Sequence, residues 1–433
     1  MKVIHPTPKH NLLIKVPNGK RNSERNLASI KLSPKLEPKV PESARFRYVK
    51  TPLDIGNNNS LKKTFEGPCS NHEVLASYRH FITDREEYEI VNYSIIYYIR
   101  KSPITCKKSD CTSNNLLRFE KDDHIAYRFQ MISILGEGSS GFVIKCHDHK
   151  LNEDVAIKAL RDTRKTHDHV LLEKAYLTTL QQNGGPDKFH IIRYKDSFIF
   201  RGYFCIVMEL ASINIYSLIC SQPFKRLQAS TYQMVARQTA EALDFMHKNN
   251  VIHSDIKPEN ILFTNVRRTS IKLIDFGCSC TEGNTLYTYI QSRFYRAPEV
   301  VLENEYDSKI DIWSYGCLLC EMFTGKPLFE AFDEEELMCL MISMLGIPPK
   351  SILKTAKRAK YYFDENFELL DTMEINETSL KEKTNISDPY LLQLISGCLR
   401  WDPKERFSAE DIIKHNYFKQ SNNSSQSSTY MRT

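Results

Sequence analysis

Thirteen residues, VIHSDIKPENILF from Val251 to Phe263, constrain this chain more than any other stretch. They follow a helical pattern, and the polar loop between their apolar ends is stiffened by Pro258. Asp255, Lys257 and Asn260 fall within six positions of one another. At that spacing a carboxylate can orient a hydroxyl, an amine can approach a phosphate and an amide can reach a metal ion. Fifteen residues beyond Asn260, Asp275 follows the apolar run IKLI and precedes Phe276-Gly277. A carboxylate emerging at a strand end beside a nucleotide suits Mg²⁺, which keeps oxygen ligands and bridges phosphates.

Two upstream features fit the same chemistry. In ILGEGSSGFVIKC, Gly136, Gly138, Gly141 and Val143 form a G-x-G-x-x-G-x-V frame, with Leu135 and Glu137 inside it. A dinucleotide-binding glycine turn runs from strand into helix, whereas Phe142-Val143-Ile144 resume a strand here. The expectation is a glycine hairpin whose backbone N–H groups can approach phosphates because no Cβ intervenes. Next, EDVAIKAL places Lys158 in a strand, and DHVLLEKAYLTTLQQNGG reads as a helix ending at Asn183-Gly184-Gly185. Its apolar positions are Leu172, Ala175, Tyr176 and Leu180, with Glu173 beside them, able to turn inward and hold Lys158 against the α- and β-phosphates.

Composition decides the organisation. Residues 1–70 hold 14 Lys+Arg against 5 Asp+Glu, a surplus of nine against a whole-chain net of +6, so the other 363 residues sum to −3. With 8 of the 18 prolines and no sustained periodicity, residues 1–73 read as a basic, largely disordered arm. Its charge leaves RNA, acidic proteins and anionic lipid open as partners, but the expectation is a solvated arm with no nucleic-acid role. Residues 74–128 read as an accessory segment. A sheet-rich lobe is expected over 129–210 and a helical lobe over 211–418, an α+β bilobal body, followed by a polar disordered tail over 419–433. There is no apolar run long enough to span a membrane and no secretory h-region, which predicts the cytoplasm or nucleus. The 12 cysteines show no paired metal-ligand framework, and Cys317 and Cys320 read as small core thiols.

At this point GEGSSGFV, VAIK, HSDIKPEN, DFG and APE together resemble the eukaryotic protein kinase motif set over about Phe129 to Phe418. The resemblance implies ATP and Mg²⁺ with protein substrates; the oligomeric state is left open, with a monomer as the expectation. It makes Lys158 and Glu173 the ion pair of the small lobe, Asp255 the catalytic base with Lys257 beside it, and Asn260 and Asp275 the metal ligands. Val207-Met208-Glu209-Leu210 becomes the hinge strand, so Glu209, Leu210 and Ala211 would line the nucleotide site. Asp311 and a Glu299–Arg406 pair would support the large lobe.

LYTYIQSRFYRAPE, Leu286 to Glu299, closely resembles the activation segment of the dual-specificity tyrosine-phosphorylation-regulated kinases. ITDREEYEIVNYSIIYYI and DDHIAYRF are similar, more loosely, to accessory segments of the class with Pom-like members. Yak-type kinases are the near alternative, and a kinase-shaped scaffold the distant one, disfavoured because Lys158, Asp255, Asn260 and Asp275 are all present. The resemblance implies self-phosphorylation of Tyr289, with Arg293 and Arg296 set on the phosphate. It also implies proline after the phosphoacceptor, and Thr7-Pro8, Ser33-Pro34, Thr51-Pro52 and Ser102-Pro103 are candidate self-sites. Three positions depart from pattern. Ser254 stands where most kinases have Arg, Met208 replaces a bulky aromatic, and Ser217 replaces an acid, which weakens the expectation of an arginine upstream of the phosphoacceptor and leaves Glu259 as one candidate partner for it.

Overall fold

The computed structural model describes residues 65–100, 120–138, 141–161, 163–184, 188–222, 227–283, 288–370 and 375–419. The four Ser/Thr-Pro pairs and Tyr287 lie outside them. Five strands, β4 (Phe129–Gly138), β5 (Gly141–Asp148), β6 (Glu153–Arg161), β7 (Tyr194–Phe200) and β8 (Tyr203–Glu209), join β3 (His124–Ile125) in one antiparallel sheet ordered β3-β4-β5-β6-β8-β7. Strand β5 alternates buried and half-buried residues, so one face meets the core. The run YFCIVM of β8 is buried at every position, as its β-branched and aromatic content demands of a strand covered on both faces. Helix α3 (Arg164–Gly184) packs on this sheet through Val170, Tyr176, Leu177 and Leu180. Glu173 sits in that buried stripe itself rather than beside it, one turn from Val170 and Leu177.

Ahead of the sheet, β1 (Cys69–Ser70) pairs antiparallel with β2 (Ile95–Ile96) around α1 (Asn71–Ser77) and α2 (Asp84–Glu89). Ser70 caps α1 and Thr83 forms a capping box with Glu86 on α2. Phe65, Val74, Tyr78, Phe81, Ile90, Ile96 and Tyr127 build a separate small core. The sequence boundary at 73/74 therefore falls inside α1, and the folded body begins by Phe65. Single apolar residues such as Phe65 carry no periodicity, so the sequence hides this edge.

A buried charged cluster fastens this segment to the β7–β8 turn. Arg201 reaches Glu89 at 2.7 Å and Glu86 at 3.2 Å, while His124 meets Glu86 at 3.0 Å and the Tyr127 hydroxyl donates to Glu89 at 3.0 Å. Burial opposes charge on Glu86, yet His124, the Thr83 N–H and Arg201 together hold its carboxyl well below the usual carboxylate range. That contribution is present at neutral pH and is lost on acidification below the ordinary carboxylate value. Removing one partner strands the other charges in a dry site. Arg201→Ala should lower unfolding free energy by about 3 kcal/mol, with Arg201→Lys recovering only part because a point charge cannot fork across two carboxylates. Chemical denaturation checks this, and an unchanged midpoint would show that the cluster contributes nothing.

The helical region contains α4 (Ile215–Ser221), α5 (Ala229–Lys248), α6 (Pro298–Val301), α7 (Lys309–Thr324) and α8 (Glu334–Leu345). Helix α7 is buried on nearly all sides, and Cys317 and Cys320 lie in that core as free thiols whose pKa burial pushes up. Near the N-terminus of α7, Asp311 accepts the His253 and Ser254 N–H groups at 2.8 and 2.9 Å and meets His247 at 3.0 Å. Arg406 forks onto Glu299 at 2.6 and 2.7 Å in full burial. Both expected supports are therefore in place. Two short ribbons, β9 (Val251–Ile252) with β12 (Cys280–Thr281) and β10 (Ile261–Phe263) with β11 (Ile271–Leu273), flank the functional loop. No helix among the described residues is long and apolar enough to cross a membrane.

Candidate active site

The loop from His253 to Asn260 is strung between β9 and β10, and β11 delivers Asp275 beside it. His253 donates Nε2–H to the Ile274 carbonyl at 2.9 Å, stitching loop to strand end. Asp255 lies at the centre. Its Oδ1 accepts from the Ser292 hydroxyl at 2.7 Å and the Ser292 N–H at 3.2 Å, and its Oδ2 accepts from Lys257 at 2.7 Å and Asn260 Nδ2 at 3.0 Å. Lys257 also donates to the Ser292 hydroxyl at 2.9 Å. Burial opposes its charge, but the Asp255 carboxylate more than offsets this and holds Lys257 protonated. Because Asn260 spends Nδ2 on Asp255, its oxygen is the atom suited to a metal.

Asp275 adopts a left-handed conformation, φ 63° and ψ 74°, with Phe276 fully buried after it. Lys158 on β6 reaches Asp275 at 2.8 Å and both oxygens of Glu173 at 2.9 Å. The ammonium beside Asp275 holds that carboxyl well below the usual range, so it is ionised throughout the physiological span. An ionised carboxylate and an amide oxygen form a hard donor set, which fits a divalent cation. Across the site, Gly138 pairs with Gly141 at the β4–β5 hairpin, and Gly136 pairs with Val143. Side chains at Gly136 or Gly138 would meet nothing, so the hairpin leaves open space on that side for phosphates. Gly141 is required for another reason: a Cβ there would lie 1.9 Å from the Ala159 carbonyl.

Glu209 turns its carboxylate away, accepting the Arg193 N–H at 2.8 Å and Lys272 at 3.1 Å, so its side chain braces the lobe and only backbone is left for a nucleotide. Leu210 and Ala211 continue from it half-buried, as do Val143 and, more exposed, Leu135 and Glu137 on the hairpin. Met208 is buried in register with Ala156 at the back of the site.

The arginines also differ from expectation. Arg296 is buried, with Nε on the Ile290 carbonyl at 2.9 Å, Nη2 on the Gln291 carbonyl at 2.8 Å and Nη1 on Glu334 at 2.7 Å. The Tyr289 ring, half-exposed, lies 4.0 Å from its guanidinium. Arg293 instead donates Nη1–H to the Phe332 carbonyl, and its Nε is buried without a partner among the described residues. Ser254, in the left-handed region at φ 66°, contacts the Cys280 thiol in place of a guanidinium–phosphate contact. Sequence reasoning missed Ser292, Lys272 and Gln291. Gln291 and Ser292 had a visible signal, their place in the activation-segment motif, and Lys272 had none.

Residues 129–418 match a family model described as Protein kinase domain. The chain is 34% identical over 423 residues to the human Dual specificity tyrosine-phosphorylation-regulated kinase 3, covering 90% of this chain and 71% of that protein. It is 37% identical over 361 residues to the Probable serine/threonine-protein kinase dyrk2 of Dictyostelium discoideum, covering 79% of this chain and 39% of that protein. It is 35% identical over 367 residues to the DYRK-family kinase pom1 of Schizosaccharomyces pombe, covering 81% and 34% respectively. A protein kinase domain works with ATP and a divalent cation on protein substrates, which is the chemistry that Asp255, Lys158 and Asp275 are arranged to serve. The chain belongs to the protein kinases, in the family of the dual specificity tyrosine-phosphorylation-regulated kinases.

Proposed function

We propose that this kinase uses Mg²⁺ with ATP, phosphorylates serine or threonine followed by proline, and places a phosphate on its own Tyr289. Asn260 and Asp275 would hold the ion, which supplies neutralisation of charge on the phosphates. Lys158 steadies the nucleotide's phosphates, Lys257 offers its ammonium to the transferred group, and Asp255 orients the incoming hydroxyl and takes its proton. Ser292 fixes the rotation of the Asp255 carboxylate. The intact set of these residues argues against a scaffold. Free core thiols suit the reducing cytosol or nucleus.

The observation that carries the proline preference is the backbone at Gln291. It sits at φ 64°, its carbonyl is taken by Arg296, and its side chain is locked by Ser314 at 2.8 Å, Ile310 at 3.0 Å and the Ala297 N–H at 2.8 Å. A carbonyl turned inward in this way offers no acceptor to a substrate strand passing beside it. An ordinary residue after the phosphoacceptor would bury an unpaired N–H, at a cost of about 1–3 kcal/mol, and proline has none to lose. Three peptides identical except for Pro, Ala or N-methylalanine at that position test this. Pro and N-methylalanine should give similar kcat/KM, and Ala should fall by roughly tenfold or more. Equal rates for all three would remove the proline preference. Upstream of the phosphoacceptor, Glu259 Oε2 is buried without a partner among the described residues, which supports a basic side chain there despite Ser217.

A further inference from the structure

Helix α3 grips the Asp275-Phe276-Gly277 segment at two places, and the known ion pair accounts for only one. Glu173 accepts the Phe276 N–H while it holds Lys158. One turn earlier on the same face, His169 places Nδ1 3.2 Å from the Gly277 carbonyl oxygen. A carbonyl only accepts, so Nδ1 carries the proton and donates. We propose that His169 is a positioning residue for phosphoryl transfer: by holding the Gly277 carbonyl, it fixes the left-handed turn that aims Asp275 at the metal-bearing side of the site.

The turn needs such a hold. Asp275 at φ 63° occupies a region that residues with a side chain seldom adopt, and such a conformation persists only where its surroundings over-determine it. Ahead of the turn, the Ile274 carbonyl is bonded by His253 and the Ile274 N–H by the Asn260 carbonyl. Behind it, the Ser279 N–H closes a short turn on the Phe276 carbonyl. Gly277, between these fixed points, receives His169 on its oxygen. The helix therefore couples to the segment through a donor on one turn and an acceptor on the next. A small rotation of α3 would loosen both, and Asp275 would lose its aim together with the Lys158–Glu173 pair. This inference rests on the kinase reading of the same site but assigns a residue outside its motifs.

Asn carries its side-chain nitrogen at the same bond distance from the backbone as His Nδ1, so His169→Asn keeps the donor, whereas His169→Leu keeps bulk and removes it. The full chain of each variant is assayed for kcat and for KM of ATP, and titrated with a diarylurea compound that binds only when Phe276 has swung out of its pocket. His169→Leu should lose about tenfold in kcat with little change in KM and should bind the diarylurea at least threefold more tightly, while His169→Asn restores both values. A structural role in α3 alone would move thermal stability without changing the probe affinity, and that result would overturn the proposal. So would His169→Asn behaving like His169→Leu, or His169→Leu matching the parent in both readouts. Loss of all activity in Asp255→Asn with normal probe binding separates failure of this proposal from failure of the kinase reading.

Discussion

Replacing Asp275 by Asn should lower phosphoryl transfer by roughly a thousandfold or more while leaving the fold intact, the scale expected when a preorganised charge at the transferring group is removed. The carboxylate is held ionised by Lys158 at 2.8 Å, and in the proposed mechanism it is the charged half of the donor pair that Asn260 completes. Asn preserves shape and can still accept from Lys158, but it carries no charge to hold a divalent cation. The Lys158–Glu173 contact, Phe276 burial and the His253 bond to Ile274 do not depend on that charge, so the fold should persist, with a lower unfolding midpoint because the Lys158–Asp275 attraction is lost. Asp255→Asn should match it in severity for a different reason. Four donors converge on Asp255, and an amide would turn one of its acceptor positions into a donor facing Lys257, Asn260 or Ser292. Turnover assays on protein shown to be folded by its unfolding transition decide both cases. Wild-type rates in folded Asp275→Asn would overturn the assignment of that residue.

What the sequence made legible was chemistry carried by short, local spacing. HSDIKPEN, the glycine hairpin and Asp275-Phe276-Gly277 each sit on one turn or strand end, so residue type and order alone announced them. Glu173 was legible as a partner of Lys158 because a helix facing a strand brings its inward residue close. What stayed hidden depends on backbone direction or on contacts between distant segments. Gln291 is an ordinary polar residue in sequence, and only the fold shows its left-handed φ and the Arg296 contact that occupies its carbonyl. Ser292 meets Asp255 across 37 positions, and His169 meets Gly277 across 108. Arg293 and Arg296 looked equivalent because spacing from Tyr289 was the only measure. In the fold, one is buried and bonded through all three of its nitrogens, and the other keeps a nitrogen without a partner among the described residues.

That inequality changes what phosphorylation of Tyr289 is expected to do. Arg296 already binds the Ile290 and Gln291 carbonyls and Glu334, which Arg358 also meets at 2.7 Å, so the turn at Gln291 proposed to select proline is formed around an unmodified Tyr289. A phosphate on the ring would compete with Glu334 for Arg296 and could draw on Arg293, whose Nε has no partner among the described residues. Mass spectrometry of protein made in a host without tyrosine kinases should therefore find phosphate on Tyr289, absent from Asp275→Asn. Yet Tyr289→Phe, which keeps the ring over Arg296, should retain measurable activity and an undiminished Pro-over-Ala ratio, losing roughly tenfold in rate at most. Arg296→Lys should be far worse. Each charged hydrogen bond to the Ile290 and Gln291 carbonyls is worth about 1.5–3 kcal/mol, and an ammonium cannot span both with Glu334. Losing about 3 kcal/mol of loop order corresponds to roughly a hundredfold in kcat/KM on proline peptides. Selectivity should collapse with it, because a released Gln291 carbonyl can again accept an N–H. Parallel Pro and Ala peptide assays on the two variants separate these outcomes: an Arg296→Lys protein that keeps the parent's Pro-over-Ala ratio would show that the carbonyl is held by something else, and an inactive Tyr289→Phe would return the ordering of the loop to the phosphate.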